Sequence, residues 1–540
     1  MLDKLFVNGQ IHTMVNPADV YSVLGVKDGI IEYVGNDSDN LCARETIDLN
    51  NSIMIPGMAD SHLHFYAYCQ NTTYVDLAPV RSIEEMIEKM RAKAAETDKG
   101  QWIKGVNFDQ TKWRENRFPT LEEMDSISTN HPIVIKRTCL HCVVANSKGL
   151  EEAGIGRYAE SELGGRIELD KDGYPTGILR EQTTKLFDDI MPNPIENESI
   201  RDEIFKTVMM DMSSKGITCI HTYAAKIWQY NEDIEVYKNF ERQGLLPLRV
   251  TVCIDDLFEQ EKITEEERKD PYRLAQLGAF KVFTDGSLGS GSAALKEPYS
   301  NRPETKGLLI ASEDELIEKI AGAYVQGYQP AVHAIGDRAL DVTIIAIEEA
   351  VKRAKEQGET DEDIRNRPPF RIIHAEIADE KAIDRMSRLP LVVDMQPTFI
   401  CTDLHWLDEI IGPDRVKNAY PMKSMVDKGL ILTGGSDCPV ETYDPIVGIY
   451  AAVTRKDLNG VPKDGFLPEE KLDVFEALSM YTKNVHYATG QENEIGTLEK
   501  GKFADLVVLD RDIFNIPEDE IKDVKVEQTY LAGECVYMIK

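Results

Sequence analysis

Two histidines one residue apart, His62 and His64, sit in the segment Asp60-Ser61-His62-Leu63-His64 directly after the apolar run IMIPGM. In an extended strand residues i and i+2 point to the same side, so both imidazoles can reach one ion. An HxH pair alone is a weak sign of a metal, but three later segments repeat its setting. His333 ends the apolar part of PAVHAIGD, His374 that of FRIIHAE, and Asp437 follows LILTGGS. Four histidines and one carboxylate at equivalent strand ends point to a divalent-metal centre rather than to packed core histidines. Lys281, in AFKVFTDGSLGS, lies on another apolar strand. A buried ammonium is costly unless it is paired, here with Asp285, or loses its charge. A neutral amine can add carbon dioxide, and the two oxygens of the carbamate can bridge two metal ions.

The chemistry this set predicts is hydrolysis. One or two divalent cations lower the pKa of bound water from about 15.7 toward neutrality and polarise a carbonyl. Asp437 then takes the proton of the attacking water and returns it to the leaving group.

These residues need a scaffold that brings distant strand ends together. Short apolar runs alternate with amphipathic helical patterns such as SEDELIEKIAGAYVQGY and DRALDVTIIAIEEAVKRAKEQ. The strand candidates are Ile53–His62, Gly216–His221, Leu248–Ile254, Ala279–Thr284, Pro330–His333, Phe370–His374, Leu391–Asp394 and Leu430–Gly434. Eight such strands predict an α/β fold, a (β/α)8 TIM barrel, whose catalytic groups collect at the C-terminal mouth of the strands. Residues 1–55 and 491–540 carry short β-like runs with Asn-Gly and Asp-Gly turns, so both chain ends are expected to build one composite β-sandwich domain around a barrel at 56–490. Residues 65–215 separate the first barrel strand from the second and are expected to form an inserted subdomain at the catalytic rim.

Several residues stand in a second tier. His221 ends the run ITCIH and is open to substrate contact, support of a ligand, or packing. Trp113, in the insertion, is open to walling off an apolar substrate group or to packing in the subdomain core. Cys139 and Cys142 lack a second cysteine pair, so they do not read as a zinc knuckle, and Cys438 beside Asp437 is read as packing. The glycines of TDGSLGSGSAA lack the Lys-Ser or Lys-Thr of a phosphate loop.

The bulk numbers narrow the partners. With 61 Lys plus Arg against 94 Asp plus Glu, the net charge is -33, which argues against nucleic acid. No run approaches the roughly 20 apolar residues that cross a bilayer, so no membrane partner is expected. The start MLDKLFVNGQIHTMV lacks a secretory pattern, and nine irregularly spaced cysteines do not read as a disulfide framework, so a cytoplasmic location is expected.

The phrases GMADSHLH, DGSLGS, HAIGDRA, PLVVDMQPTF, GGSDCPVE and GTLEKGKFADLVVLD resemble the amidohydrolase superfamily, in particular its long third branch that includes N-substituted formamide deformylases. The resemblance spans essentially the full length. It implies metal binding by His62, His64, a carboxylated Lys281, His333, His374 and Asp437, with zinc as the expected ion. It also implies pocket-lining roles for His141 and the Arg180-Glu181 pair, and a homodimer. The implied activity is cleavage of a non-peptide C–N bond, an amide or formamide, in a small molecule. A lactone, ester or carbamate hydrolase is the alternative on the same site, and a non-enzymatic metal-binding or regulatory barrel the alternative from another class. One departure is visible: where many members read Arg-Thr-Ala after DGSLGS, this chain reads Gly291-Ser292-Ala293.

Overall fold

Eight parallel strands form one sheet in sequential order: β1 (Met58–Leu63), β2 (Ile217–Tyr223), β3 (Arg249–Ile254), β4 (Ala275–Phe283), β5 (Pro330–Ala334), β6 (Phe370–His374), β7 (Leu391–Met395) and β8 (Ile431–Gly434). Every residue of β1, β2, β5, β6 and β7 is buried, as expected of parallel strands covered on both faces. The covering helices carry apolar positions at helical spacing. In Asp337–Glu356, for example, Leu340, Ile344, Ile347, Ala350 and Ala354 are buried. Another, Glu313–Val325, starts on a Ser312/Glu315 capping box. The computed structural model describes residues 1–137, 142–159, 165–188, 190–224, 234–254 and 273–539.

The sheet closes at its mouth end through the residues just beyond β8. Asp437 N–H donates to the His62 carbonyl and His64 N–H to the Cys438 carbonyl, both at 2.7 Å. The Asp60 carboxylate accepts from the backbone N–H of both His62 (3.0 Å) and Ser436 (3.1 Å). The barrel is thus a TIM barrel whose seam lies between the strands that carry His62 and Asp437.

The first apolar run, expected as one strand, is two. Ile53–Pro56 pairs antiparallel with Leu506–Leu509 in a sheet built from both chain ends, and β1 starts at Met58. The break falls at Gly57, whose N–H donates to the Asp505 carbonyl at 2.8 Å. A Cβ there would lie 2.1 Å from Thr218 Oγ1, so only glycine lets the chain pass from one sheet to the other. The second strand also differs from expectation: β2 continues past His221 to Tyr223.

The two-ended sheet is buried on both faces. Met54, Leu506 and Val508 pack with Phe6, Leu24 and Ile31 inside the β-domain. Ile53, Ile55, Val507 and Leu509 alternate to the other face and join the large apolar cluster of the barrel. Leu2–Val7, Val23–Lys27, Ile30–Gly35 and Ala43–Asp48 form the facing sheet.

The chain divides into two compact units, Met1–Tyr66 with Lys206–Lys540, and Ala67–Phe205. The second has its own six-stranded mixed sheet. One side of that sheet packs Ile103, Ile133 and Ile135 with Met86 and Met90 of the helix Ile83–Glu96. Its other side packs Val134, Val143 and Leu179 with Phe187.

Arg249, at the start of β3, joins barrel to β-domain through a buried ion pair with Asp505, Nε to Oδ2 at 2.8 Å and Nη2 to Oδ1 at 3.2 Å. Removing one partner of such a pair leaves a buried charge uncompensated. Asp505→Ala is expected to lower the unfolding free energy by about 3–5 kcal/mol. Urea denaturation followed by near-UV circular dichroism checks this, and a loss under about 1 kcal/mol, the worth of an exposed pair, would contradict it.

Candidate metal centre

His62, on β1, and His64, just past its end, are buried, and with Asp437 they bring three ligand atoms within 4.8 Å of one another. Asp437 Oδ1 is 3.2 Å from His62 Nε2 and 3.2 Å from His64 Nε2. Lys281, on β4, places Nζ 3.4 Å from His62 Nε2. His374, at the end of β6, has its ring centroid 5.6 Å from that of His62 and 4.6 Å from that of His333 on β5. Residues from β1, β4, β5, β6 and the segment after β8 thus form one continuous cluster at the mouth.

Hydrogen bonds fix which ring nitrogen of three of these histidines carries the proton. His64 Nδ1 faces the Tyr223 carbonyl at 2.7 Å, and a carbonyl can only accept, so Nδ1 carries a proton and Nε2 is the ring nitrogen turned to Asp437. His374 Nδ1 faces Gln396 Oε1 at 2.6 Å; the amide is oriented by its Nε2, which donates to the Asp394 carbonyl at 3.1 Å. His374 Nε2 is therefore the bare nitrogen. For His333 the pattern inverts: it is Nε2 that donates, to the Gly286 carbonyl at 3.0 Å. Outer acceptors of this kind set the tautomer and the ring orientation of metal-binding histidines.

This arrangement tests whether a cation fits. The His64 Nε2 and Asp437 Oδ1 atoms lie 3.2 Å apart, and both are buried. Among the described residues the Asp437 Oδ1 atom has no hydrogen-bond partner and is buried, as is His62 Nδ1. A divalent cation held by the His62 and His64 Nε2 atoms and Asp437 would satisfy this buried oxygen, and a nitrogen-and-oxygen donor set of this type suits zinc and similar ions. Burial holds His62 and His374 well below the usual imidazole range, so both are neutral and able to ligate at pH 7. Two residues of the cluster keep left-handed backbones, His374 at φ 76° and Asp437 at φ 53°, conformations that non-glycine residues hold only when the surroundings enforce them.

Lys281 is fully buried, with its Nζ 4.9 Å from the ring centroids of both Tyr223 and Phe283. Burial pushes its amine down to about 7, against the opposing pull of Asp437 and Asp394. Asp285 does not pair with it. Its carboxylate accepts instead from the backbone N–H groups of Ala294 (2.8 Å), Ile335 (3.1 Å) and Gly336 (2.8 Å), beside His333 Nε2 at 3.4 Å.

The remaining expected residues have other surroundings. His221 faces the barrel interior, where its Nδ1 accepts from Arg371 at 3.1 Å. Arg180 pairs with Glu168 at 2.7 Å and lies over the Phe118 ring, within the second unit. Trp113 packs in that unit's apolar core against Phe108. His141 lies outside the described residues, as does Cys139. Cys438 is buried and gives its carbonyl to His64 N–H.

Two functional residues are not anticipated by the sequence pattern. Arg371, the second residue of β6, is fully buried. It donates to Asp394 Oδ2 (2.8 Å from Nε), to the Ser61 carbonyl between the two histidines of β1 (2.8 Å), and to His221. Gln396 orients His374. The available signal for Arg371 and Asp394 is a lone charge inside each of two apolar runs, FRIIH and LVVDM; nothing in the sequence singles out Gln396. Gln396→Leu removes the acceptor of His374 Nδ1–H and is expected to weaken metal binding about 10- to 100-fold with the fold intact. Competition against a chromophoric chelator measures this, and an unchanged affinity would remove Gln396 from the metal site.

The sequence pattern of the amidohydrolase family matches residues 45–537. YtcJ of Bacillus subtilis, a protein named as a putative amidohydrolase, is 31% identical over 99% of both chains. The N-substituted formamide deformylase of Arthrobacter pascens is 28% identical over 99% of this chain and 98% of its own. Among solved structures, an uncharacterized metal-dependent hydrolase from Pyrococcus horikoshii superposes with a TM-score of 0.76 at 28% identity, over 95% of this chain and 99% of that one. With the barrel, the mouth cluster and this match in agreement, the chain belongs to the amidohydrolase family.

Proposed function

We propose that this metal-dependent hydrolase cleaves a non-peptide C–N bond, an amide or formamide of an N-substituted amine. The observation that carries the reading is the buried cluster of His62, His64 and Asp437, whose ligand atoms lie within 4.8 Å of one another. The proposed ligand set is His62, His64, Lys281, His333, His374 and Asp437, for one or two cations, with zinc the ion in first place. A cation bound there activates water and polarises the scissile carbonyl. Asp437 Oδ1, charged and without a hydrogen-bond donor among the described residues, takes the water's proton and passes it to the departing nitrogen, so that the amine leaves neutral. The formamide end of the class draws support from the full-length likeness to the Arthrobacter deformylase. Irregular cysteine spacing supports a cytoplasmic location, and the family resemblance a homodimer. No helix among the described residues is long and apolar enough to cross a membrane.

Lys281 is proposed to be carboxylated on Nζ. The neutral amine attacks carbon dioxide and loses one proton, and the carbamate carries one negative charge. Only the unprotonated amine reacts, so the pH window follows from its position at about 7: the reactive form dominates above it and is lost below it.

Two outcomes follow. Asp437→Asn is expected to lower kcat by about 100- to 10,000-fold on N-formyl or N-acetyl amines, and a loss under about tenfold would remove Asp437 from the proton path. Metal-stripped protein given zinc and bicarbonate is expected to regain metal more completely at about pH 8.5 than at about pH 6, on either side of the amine's position, as read by elemental analysis. Equal recovery at the two values, or no dependence on bicarbonate, would refute carboxylation.

A further inference from the structure

The loop that follows β4 lacks the arginine which the resemblance places at position 291, yet a guanidinium occupies the space beside that residue. A Cβ on Gly291 would lie 1.8 Å from Arg302 Nη2 and 2.2 Å from its Cζ. Gly291 has φ +72°, and the missing side chain is what admits the Arg302 head against the backbone. The head sits 5.6 Å from the Tyr299 ring centroid, and among the described residues no carboxylate pairs with it. Two other arginines that pack on this loop are satisfied: Arg338 pairs with Glu313, and Arg415 donates to the carbonyls of Glu297 and Pro298. Arg302 is thus a half-buried cation in a chain of net charge -33.

The surroundings of this cation suit an anion. Ser290 and Ser292 flank Gly291, and their hydroxyls, 2.5 Å apart, share a network with that of Ser287. Hydroxyl protons rotate to suit an acceptor, and Ser287 is exposed and able to turn outward. The same loop reaches the metal cluster directly, because the Gly286 carbonyl orients His333 and Asp285 precedes it. Arg302 also lies within electrostatic reach of the buried Tyr299 hydroxyl, together with Asp285 and Glu376, residues that follow β4 and β6.

We propose that Arg302, with the hydroxyls of Ser287, Ser290 and Ser292, forms an anion subsite at the barrel mouth that takes a carboxylate of the substrate. This rests on the C–N hydrolase reading and narrows it to N-acyl amines that bear a carboxylate, such as N-acylated amino acids.

The test compares N-formylglycine with the neutral N-methylformamide on metal-loaded protein, by titration calorimetry together with turnover. The intact chain is expected to bind the carboxylate at least about tenfold more tightly, the usual weight of a charge-assisted hydrogen bond. Arg302→Met should abolish that preference at unchanged metal content, and Arg302→Lys should keep part of it. A preference that survives in Arg302→Met, as direct binding of the carboxylate to the metal would give, overturns the subsite; so does equal or absent binding of the two probes by the intact chain. Because binding is read apart from turnover, failure to hydrolyse either probe counts against the formamide reading, while the difference in binding still decides the role of Arg302.

Discussion

The closure of the barrel between β1 and β8 is the constraint on which the site depends. Two backbone hydrogen bonds cross this seam, from Asp437 to His62 and from His64 to Cys438, and the residues that make them include the metal-binding candidates themselves. Backbone pairing and ligand geometry are therefore one feature. A barrel that failed to close would separate the HxH pair from its carboxylate, and a one-residue shift in register would turn both histidines away. The Asp60 carboxylate, bonded to a backbone N–H on each side of the seam, pins this register from the side chain.

Beneath the seam lies a second layer of control. Tyr223, Gln396 and Gly286 each offer an oxygen to one imidazole, and each oxygen fixes a proton on the nitrogen that faces it. These acceptors come from β2, from the segment after β7 and from the loop after β4, so the imidazoles of the mouth cluster are oriented from widely separated parts of the barrel. Arg371 ties this layer to the floor. Its contacts with Ser61, Asp394 and His221 join β1, β7 and β2 through one buried guanidinium, and Thr433 on β8 holds the other oxygen of Asp394.

The eight strands and the residues of the mouth cluster are legible in the sequence because both leave local marks: apolar runs of strand length, and polar residues where those runs end. The marks fail where structure depends on long-range partners. The run IMIPGMADSH reads as one strand because its apolar pattern is continuous, and only the approach of Thr218 and the pairing with Leu506–Leu509 reveal the break at Gly57. His221 looks like a strand end because Thr222 and Tyr223 read as the start of a loop, whereas pairing with β3 extends the strand through both. The approach of the Arg302 head to Gly291 is likewise invisible to spacing, since it depends on how the loop folds back on itself.

The strand Ile53–Pro56 is shared in a particular sense: it finishes the β-domain, and its direct continuation begins the barrel. Its partner Leu506–Leu509 follows every barrel strand in the chain, so during synthesis β1 emerges long before the strand that anchors its approach. Pairings so distant in sequence give a high contact order, which slows folding and leaves strand edges exposed in the meantime. Maturation of the metal site therefore trails the synthesis of its last ligand, Asp437. The seam that gathers His62, His64 and Asp437 is braced from outside by strands made after all three.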